Sequence, residues 1–252
     1  MTAKRNNTPG ELTPTSPPSR STPAAARAAF LDKVRAGGAA TPSLSTATPA
    51  AVGGVRRPRL VFGMDATGSR EATWASAKRI TDRMFEVIPG ALDIALAVHG
   101  GNRLHTFSAF GSEVEIFRAM ASRVRCESGE TRLCELMRCT LGAGGVRVMS
   151  YIGDAFEEDE GEALALADRM RLRGIKVIML ADHADPETLR VFEEIANRTG
   201  GALLDFRGSQ SRLMGEVLKG VAQLAIGGQA MLAGGTSAGA RLLLSHLKKT
   251  EG

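Results

Sequence analysis

One acid and two hydroxyls stand at alternate positions near residue 65. Asp65, Thr67 and Ser69 directly follow the apolar segment RLVFGM. Gly68 lies between the hydroxyls and lets the backbone turn, so that the three side chains can point to one place. Oxygen ligands that carry few charges suit a hard cation that keeps several waters, which describes Mg²⁺ better than Zn²⁺. The motif therefore indicates a metal site, with Mg²⁺ expected and Mn²⁺ or Ca²⁺ as alternatives.

A second acid ends another apolar segment in the same way. Asp154 follows VRVMSYIG, as Asp65 follows its own strand-like run. In an open α/β sheet, binding sites form beyond the carboxyl ends of the strands. If the two strands are neighbours, both carboxylates face one crevice.

The elements that must position these residues begin at Arg59. From there, strand-like apolar runs alternate with helical patterns. Continuous apolar runs are typical of strands that are buried on both faces, and their alternation with helices predicts a mostly parallel sheet. A Gly-Gly-Asn turn at 100–102 predicts one antiparallel hairpin. The predicted fold class is therefore α/β in three layers, with one antiparallel edge strand and helices on both faces.

The leading segment has a different composition from the rest of the chain. Residues 1–57 are rich in Pro, Thr, Ser, Ala and Gly, and they hold the basic excess of a chain with formal net charge +5. Such a composition buries too little apolar surface to offset chain entropy, so we expect a disordered basic tail with a short helix at 24–36. The domain itself is expected over 58–226, and a Gly-rich break and a C-terminal helix over 227–252.

Composition also argues against several kinds of partner and compartment. The sequence shows no basic face on the domain that would bind nucleic acid, and no run of about 18 apolar residues that would span a membrane. Its start has no apolar core typical of a secretory signal. Cys126, Cys134 and Cys139 form no CxxC motif, disulfide framework or zinc spacing. We therefore expect a cytoplasmic protein that binds neither nucleic acid nor membrane; its oligomeric state stays open.

The motif around Asp65 resembles that of the von Willebrand factor A (VWA) family. The metal-ion-dependent adhesion site (MIDAS) of that family reads D-x-S-x-S, followed by a distant Thr and a distant Asp. Here Asp65, Thr67 and Ser69 match the first part, with Thr in place of the usual first Ser. The resemblance covers about residues 59–226 and implies a VWA, Rossmann-like fold.

Thr131 and Asp154 would complete this pattern. Thr131 lies in SGETRLCELM ahead of a helical pattern, although Glu130 stands where the family usually has Gly. The resemblance implies that Thr67 and Ser69 bind the metal directly. Asp65 and Asp154 would then act mainly through waters or hydrogen bonds, and Thr131 directly or through water.

The resemblance also implies a function. In this family the open position of the metal accepts a Glu or Asp carboxylate from a partner protein, so the metal bridges two proteins without catalysis. Small bacterial members are associated with stress or tellurium-resistance gene groups. A module of an intracellular assembly, with a stress-related role as one extension, is the resulting expectation.

Two alternatives stay open at this point. The Asp-x-Thr-Gly-Ser stretch also resembles the nucleophile loop of haloacid-dehalogenase-like phosphotransferases, in which Asp65 would attack a phosphoryl group and Asp154, with Glu158 or Asp159, would hold Mg²⁺. Such chemistry needs a cationic side chain, and Arg147 lies near the wrong end of its strand. The other alternative is a VWA fold whose metal site has no function, with Asp65 serving only to cap a helix.

Overall fold

A computed structural model describes residues 57–70, 91–206 and 211–250. Most of the predicted tail, its helix at 24–36 and the helical pattern that follows Arg70 lie outside these residues. The predicted bounds of the domain and of the segments on either side of it stay a prediction.

The centre of the molecule is one sheet of six strands in the order β3-β2-β1-β4-β5-β6. The strands are β1 (Arg59–Asp65), β2 (Asp93–Gly100), β3 (Arg103–Phe107), β4 (Val146–Gly153), β5 (Lys176–Asp182) and β6 (Ala202–Phe206). The hairpin pair β2–β3 is antiparallel and the other neighbouring pairs are parallel. The predicted sheet, with its antiparallel edge strand after the Gly-Gly-Asn turn, is therefore confirmed.

Helices cover both faces of this sheet. They are α1 (Val114–Arg123), α2 (Leu133–Gly142), α3 (Glu160–Leu172), α4 (Pro186–Thr199), α5 (Ser211–Ala233) and α6 (Ala238–Thr250). Side chains alternate along β1, so that Leu60 and Phe62 pack in the core under α1, α5 and α6, while Val61 packs in the core under α2, α3 and α4. The three-layer α/β prediction is confirmed.

Helix α2 lies close over the centre of β1. A Cβ atom added at Gly63 would stand 2.9 Å from a methyl carbon of Leu136 on that helix. A larger residue at this position would force the Leu136 side chain to shift, so glycine favours the close approach. The start of α2 is thereby brought towards the carboxyl end of β1, where Asp65 stands.

The last helices complete the core on the other face. Helix α5 bends at Gly228, whose φ of 66° and ψ of −161° are not helical. Helix α6 then packs back, because Leu243 and Leu247 are buried in the same core as Leu204 and Phe206 of β6. Within the ranges the structure describes, no helix has the length and apolar character that crossing a membrane requires.

Candidate metal centre

The strand order places two acidic residues side by side. Strands β1 and β4 are paired in parallel with Met64 opposite Ile152. Asp65 and Asp154 therefore lie at the same edge of the sheet, the one formed by the carboxyl ends of the parallel strands. Asp65 is fully buried and Asp154 is partly buried. Asp65 Oδ2 and Asp154 Oδ1 are both inaccessible to solvent, and neither has a hydrogen-bond partner among the described residues. When both side chains are ionised, these neighbouring carboxylates therefore have buried acceptor oxygens with no donor, whereas a proton on Asp65 allows a hydrogen bond to Asp154.

The electrostatics of Asp65 reflect this arrangement. Burial is the main reason why the pKa of Asp65 rises from 3.8 to about 7, and the neighbouring Asp154 charge raises it further. The Thr67 N–H opposes this shift by donating to Asp65 Oδ1 at 2.8 Å. A proton shared between the two carboxyl groups, or a bound cation, would relieve the repulsion.

The loop after β1 presents the predicted hydroxyls beside this carboxylate. Thr67 and Ser69 lie with their hydroxyl oxygens 3.1 Å apart. Thr67 is buried, whereas Ser69, in the short 3₁₀ turn Gly68–Arg70, is exposed. The loop is fixed from outside as well, because the Glu127 N–H donates to Ala66 O at 3.0 Å. One hydroxyl of the pair is thus held inside the protein and the other faces solvent.

Thr131 lies buried in the loop before α2. Its Oγ1 accepts the Glu157 N–H at 3.1 Å, and its own N–H donates to Glu157 Oε2 at 3.2 Å. Glu157 stands three residues after Asp154, so these contacts join the Thr131 loop to the loop of the second acid. The structure therefore gathers the loops of all five predicted residues at one edge of the sheet, with Thr131 joined to the rest through its neighbours.

A histidine that no sequence motif indicated lies beside Asp65. His99 stands opposite Asp65 on β2, is fully buried, and has Nδ1 at 4.0 Å from Asp65 Oδ1. Nδ1 accepts the Arg132 N–H at 3.3 Å, so Nε2 carries the proton that is donated to Tyr151 Oη at 2.8 Å. Burial lowers the pKa of His99 to about 3, with smaller effects from His105 and Arg132. The imidazole is therefore neutral. It accepts a hydrogen bond from the loop that carries Thr131 and stands beside Asp65 without bonding to it.

A buried cation also stands beside the hydroxyl loop. Arg70 is 1% exposed, and its Nη1 donates to Asp182 Oδ2 at 2.6 Å, at the end of β5. Asp182 Oδ1 is 2.9 Å from Nδ1 of His183, a residue with a positive φ of 65°. Arg147, the cation that the sequence analysis considered, instead donates to Ile226 O from the start of β4. The edge that carries Asp65 therefore has a paired cation of its own.

These donors fit a hard divalent cation. Among the described residues no group of three His, Cys, Asp or Glu side chains could hold a metal. A cation at this edge would depend on hydroxyl oxygens together with two carboxylates, and a site of that kind suits Mg²⁺ better than Zn²⁺. The unpaired Asp65 Oδ2 and Asp154 Oδ1 are the observation that supports the fit.

Solved structures share this architecture. The SpRpn10 VWA domain matches with a TM-score of 0.50 and 14% identity, over 69% of this chain and 98% of that domain. Proximal thread matrix protein 1 from the mussel byssus, with a zinc-occupied MIDAS motif, matches with a TM-score of 0.53 and 14% identity, over 66% of this chain and 46% of that one. This chain has the fold of a von Willebrand factor A domain.

The chain is similar in structure to an adhesin as well. Pilus adhesin SpaC from Lactobacillus rhamnosus GG matches with a TM-score of 0.52 and 13% identity, over 69% of this chain and 30% of that one. No family model matches the chain, and no curated protein matches its sequence. The predicted VWA-type fold is confirmed, while the five metal-site residues stay a prediction.

Proposed function

We propose that this VWA domain is a divalent-metal-dependent protein-binding module. The predicted metal residues are Asp65, Thr67, Ser69, Thr131 and Asp154. The observation that carries the proposal is the pair of buried, unpaired oxygens, Asp65 Oδ2 and Asp154 Oδ1. A buried polar atom without a partner is costly, and two buried carboxylates side by side are more so. A cation compensates both costs, and Mg²⁺ is the ion that we expect, with Mn²⁺ or Ca²⁺ as alternatives.

The residues have distinct roles in this proposal. Thr67 and Ser69 would offer hydroxyl oxygens to the ion, and Asp65 and Asp154 would balance its charge. Thr131 would contribute its hydroxyl directly or through water. When bound, the metal would supply an electrophilic position for a Glu or Asp carboxylate of a partner protein. The exposure of Ser69 leaves room for that approach.

The solved relatives support the two parts of this proposal separately. One mussel byssus structure is described with a zinc-occupied MIDAS motif, which supports divalent-metal binding by this fold. Another is described as a pilus adhesin, which supports a role in adhesion. The proposal for this chain is a cytoplasmic assembly of bacterial type, with a stress-related role as its extension.

Calorimetric titration with Mg²⁺ and Mn²⁺ tests the proposal. Wild type should bind, and Asp65→Ala and Asp154→Ala should not. Asp93→Ala is the matched control, because Asp93 stands at the opposite end of the neighbouring strand β2. Binding that survives in both site variants, or that is absent from the wild type, would contradict the proposal.

One observation favours a second candidate, the phosphotransferase. Arg70 places a cation near the Asp65 loop, as that chemistry requires. The Asp182 carboxylate neutralises this cation at 2.6 Å, which weakens the candidate. Turnover of p-nitrophenyl phosphate in the presence of Mg²⁺, lost in Asp65→Ala, would support it. If the protein showed neither metal binding nor turnover, the remaining interpretation would be a VWA fold with a non-functional site.

A further inference from the structure

The loop that carries Asp154 holds the backbone of the Thr131 loop. Glu157 and Thr131 exchange two hydrogen bonds, one from the Thr131 N–H to Glu157 Oε2 at 3.2 Å and one from the Glu157 N–H to Thr131 Oγ1 at 3.1 Å. Thr131 is fully buried, so no water can replace these contacts without a change of structure. The orientation of the Thr131 hydroxyl thus depends on the position of Glu157.

The next residue in the same loop caps helix α2. Glu158 Oε1 accepts the Leu133 N–H at 2.5 Å, and Glu158 Oε2 accepts the Cys134 N–H at 3.0 Å. The first N–H groups of a helix have no partner within it, and the helix dipole favours a negative charge there. Arg132, at the N-cap of α2, makes no side-chain capping bond. Glu158 therefore supplies from a distant loop what a local residue usually supplies.

The other capped helices show how unusual this is. Helix α3 is capped by its own N-cap residue, because Asp159 accepts the Glu162 N–H. Helix α4 is capped by Asp185, which accepts the N–H groups of Glu187 and Thr188. Stability alone needs no more than such a local cap. For α2 the cap instead comes from the loop that follows the acid at the end of β4.

From this arrangement we infer that Glu157 and Glu158 are positioning residues, which fix the position of Thr131 relative to Asp154 at the metal site. The inference rests on the proposed function. The two loops leave different elements, β4 and the start of α2, and the four hydrogen bonds tie them to each other. Residues that orient metal ligands in this way commonly change metal affinity by about 10–100-fold when they are removed.

The acidic stretch at 157–162 also allows two simpler interpretations, an attractive rim for cations and the charged first turn of a helix. Both predict that its carboxylates act through charge alone. Both oxygens of Glu158 are instead engaged by the amides of α2, which belong to another element. A test must therefore separate the effect of these contacts from the effect of lost negative charge.

Glu158→Ala and Asp159→Ala form the matched pair for this test. Each removes one carboxylate that caps a helix, and the two positions are adjacent, so the loss of charge near the site is nearly the same. Only Glu158 contacts the helix that follows Thr131. We expect the Mg²⁺ affinity, measured by calorimetry, to fall by about 10–100-fold in Glu158→Ala and to be unchanged in Asp159→Ala.

Hydrogen exchange of the metal-free proteins gives a second readout. Glu158→Ala should lose protection at the Leu133 and Cys134 amides, whereas Asp159→Ala should lose it at the Glu162 amide. If Glu158→Ala does not fold, Glu158→Gln serves instead. Its amide oxygen can still accept from one of the two N–H groups, so the expected loss of affinity is smaller and in the same direction.

The outcomes separate the inference from the function on which it rests. Equal losses of affinity in Glu158→Ala and Asp159→Ala would show an effect of charge and would overturn the positioning role. Wild-type affinity in Glu158→Ala, with the loss of protection observed, would also overturn it and leave Glu158 as a helix cap. A wild type that binds no Mg²⁺ would overturn the proposed function, and the positioning role with it, whatever the exchange data show.

Discussion

Charged residues are placed in opposite ways at the two edges of the central sheet that are formed by the amino and the carboxyl ends of its parallel strands. At the amino end of β1 and β2, Arg57 lies 3.5 Å from Asp93, and their side chains are 51% and 24% exposed. Both line an open cleft of about 370 Å³, together with Ile116 and Phe117. At the carboxyl end of the same strands, Asp65 and His99 are fully buried, and Asp65 Oδ2 has no partner in the described parts of the chain.

This difference shows at which edge the charged residues destabilise the folded protein. Opposite charges near water, as at the first edge, stabilise or destabilise a protein very little. Like charges with buried oxygens, as at the second edge, are destabilising until something neutralises them. Sites where a sequence breaks the rules for stability are commonly functional sites. The comparison therefore supports the proposed site at the carboxyl edge by an argument that does not depend on the motif.

The largest expected effect comes from removing the buried charge at the carboxyl edge. Asp65→Asn keeps an acceptor for the Thr67 N–H but ends the repulsion with Asp154. We expect Mg²⁺ binding to be lost, and the metal-free protein to become more stable by about 1–3 kcal/mol at pH 8. Denaturant unfolding with and without Mg²⁺ measures both. If metal-free Asp65→Asn were less stable than the metal-free wild type, the claim that the buried charge of Asp65 destabilises the fold would be contradicted.

A pH series sharpens the same point. Because the pKa of Asp65 is raised from 3.8 to about 7, its contribution to stability is fully present below 3.8 and is lost as the pH rises through about 7. The lowered pKa of His99, about 3, acts in the opposite direction between that value and 6.5. The difference in unfolding free energy between wild type and Asp65→Asn isolates Asp65. It should grow from pH 4 to about pH 7 in favour of the variant and then level off. A difference that does not change with pH would contradict the assigned shift.

An intermediate effect is expected for the hydroxyl of Thr131. Thr131→Val keeps the shape of the side chain and removes the oxygen, so we expect Mg²⁺ affinity to fall about tenfold. Thr140→Val is the control, because Thr140 is also buried but bonds to Leu136 O within α2. Calorimetry on the two variants compares them directly. Equal affinities would exclude Thr131 from the site.

The smallest effects are expected at the amino edge. Arg57→Ala removes the exposed ion pair with Asp93 and the bond to Ser112 Oγ. Such a pair contributes about 0–1 kcal/mol, so unfolding free energy should hardly change, and Mg²⁺ affinity should not change at all. A large loss of metal affinity in this variant would show that the two edges are coupled.

Sequence alone predicted the residues of the site that can be recognised from the strand segment just before them. Asp65 and Asp154 end apolar strands, and parallel strands bring such ends to one edge. Tyr151 and Arg70 could not be found in this way, and neither could the contacts of His99. Their partners lie 33, 52 and 112 residues away in sequence, and only the packing of the strands reveals them. The same holds for Glu158, whose bonds to α2 span 24 and 25 residues.

The central claim is that a divalent cation belongs between Asp65 and Asp154. Crystals grown with Mn²⁺ test it most directly, because anomalous scattering locates the ion without any assumption about its ligands. The account predicts one strong anomalous peak within coordination reach of the Thr67 and Ser69 hydroxyls, beside both carboxylates, and no such peak in Asp65→Asn. An anomalous map without a peak at this edge, or with the peak elsewhere in the domain, would contradict the account.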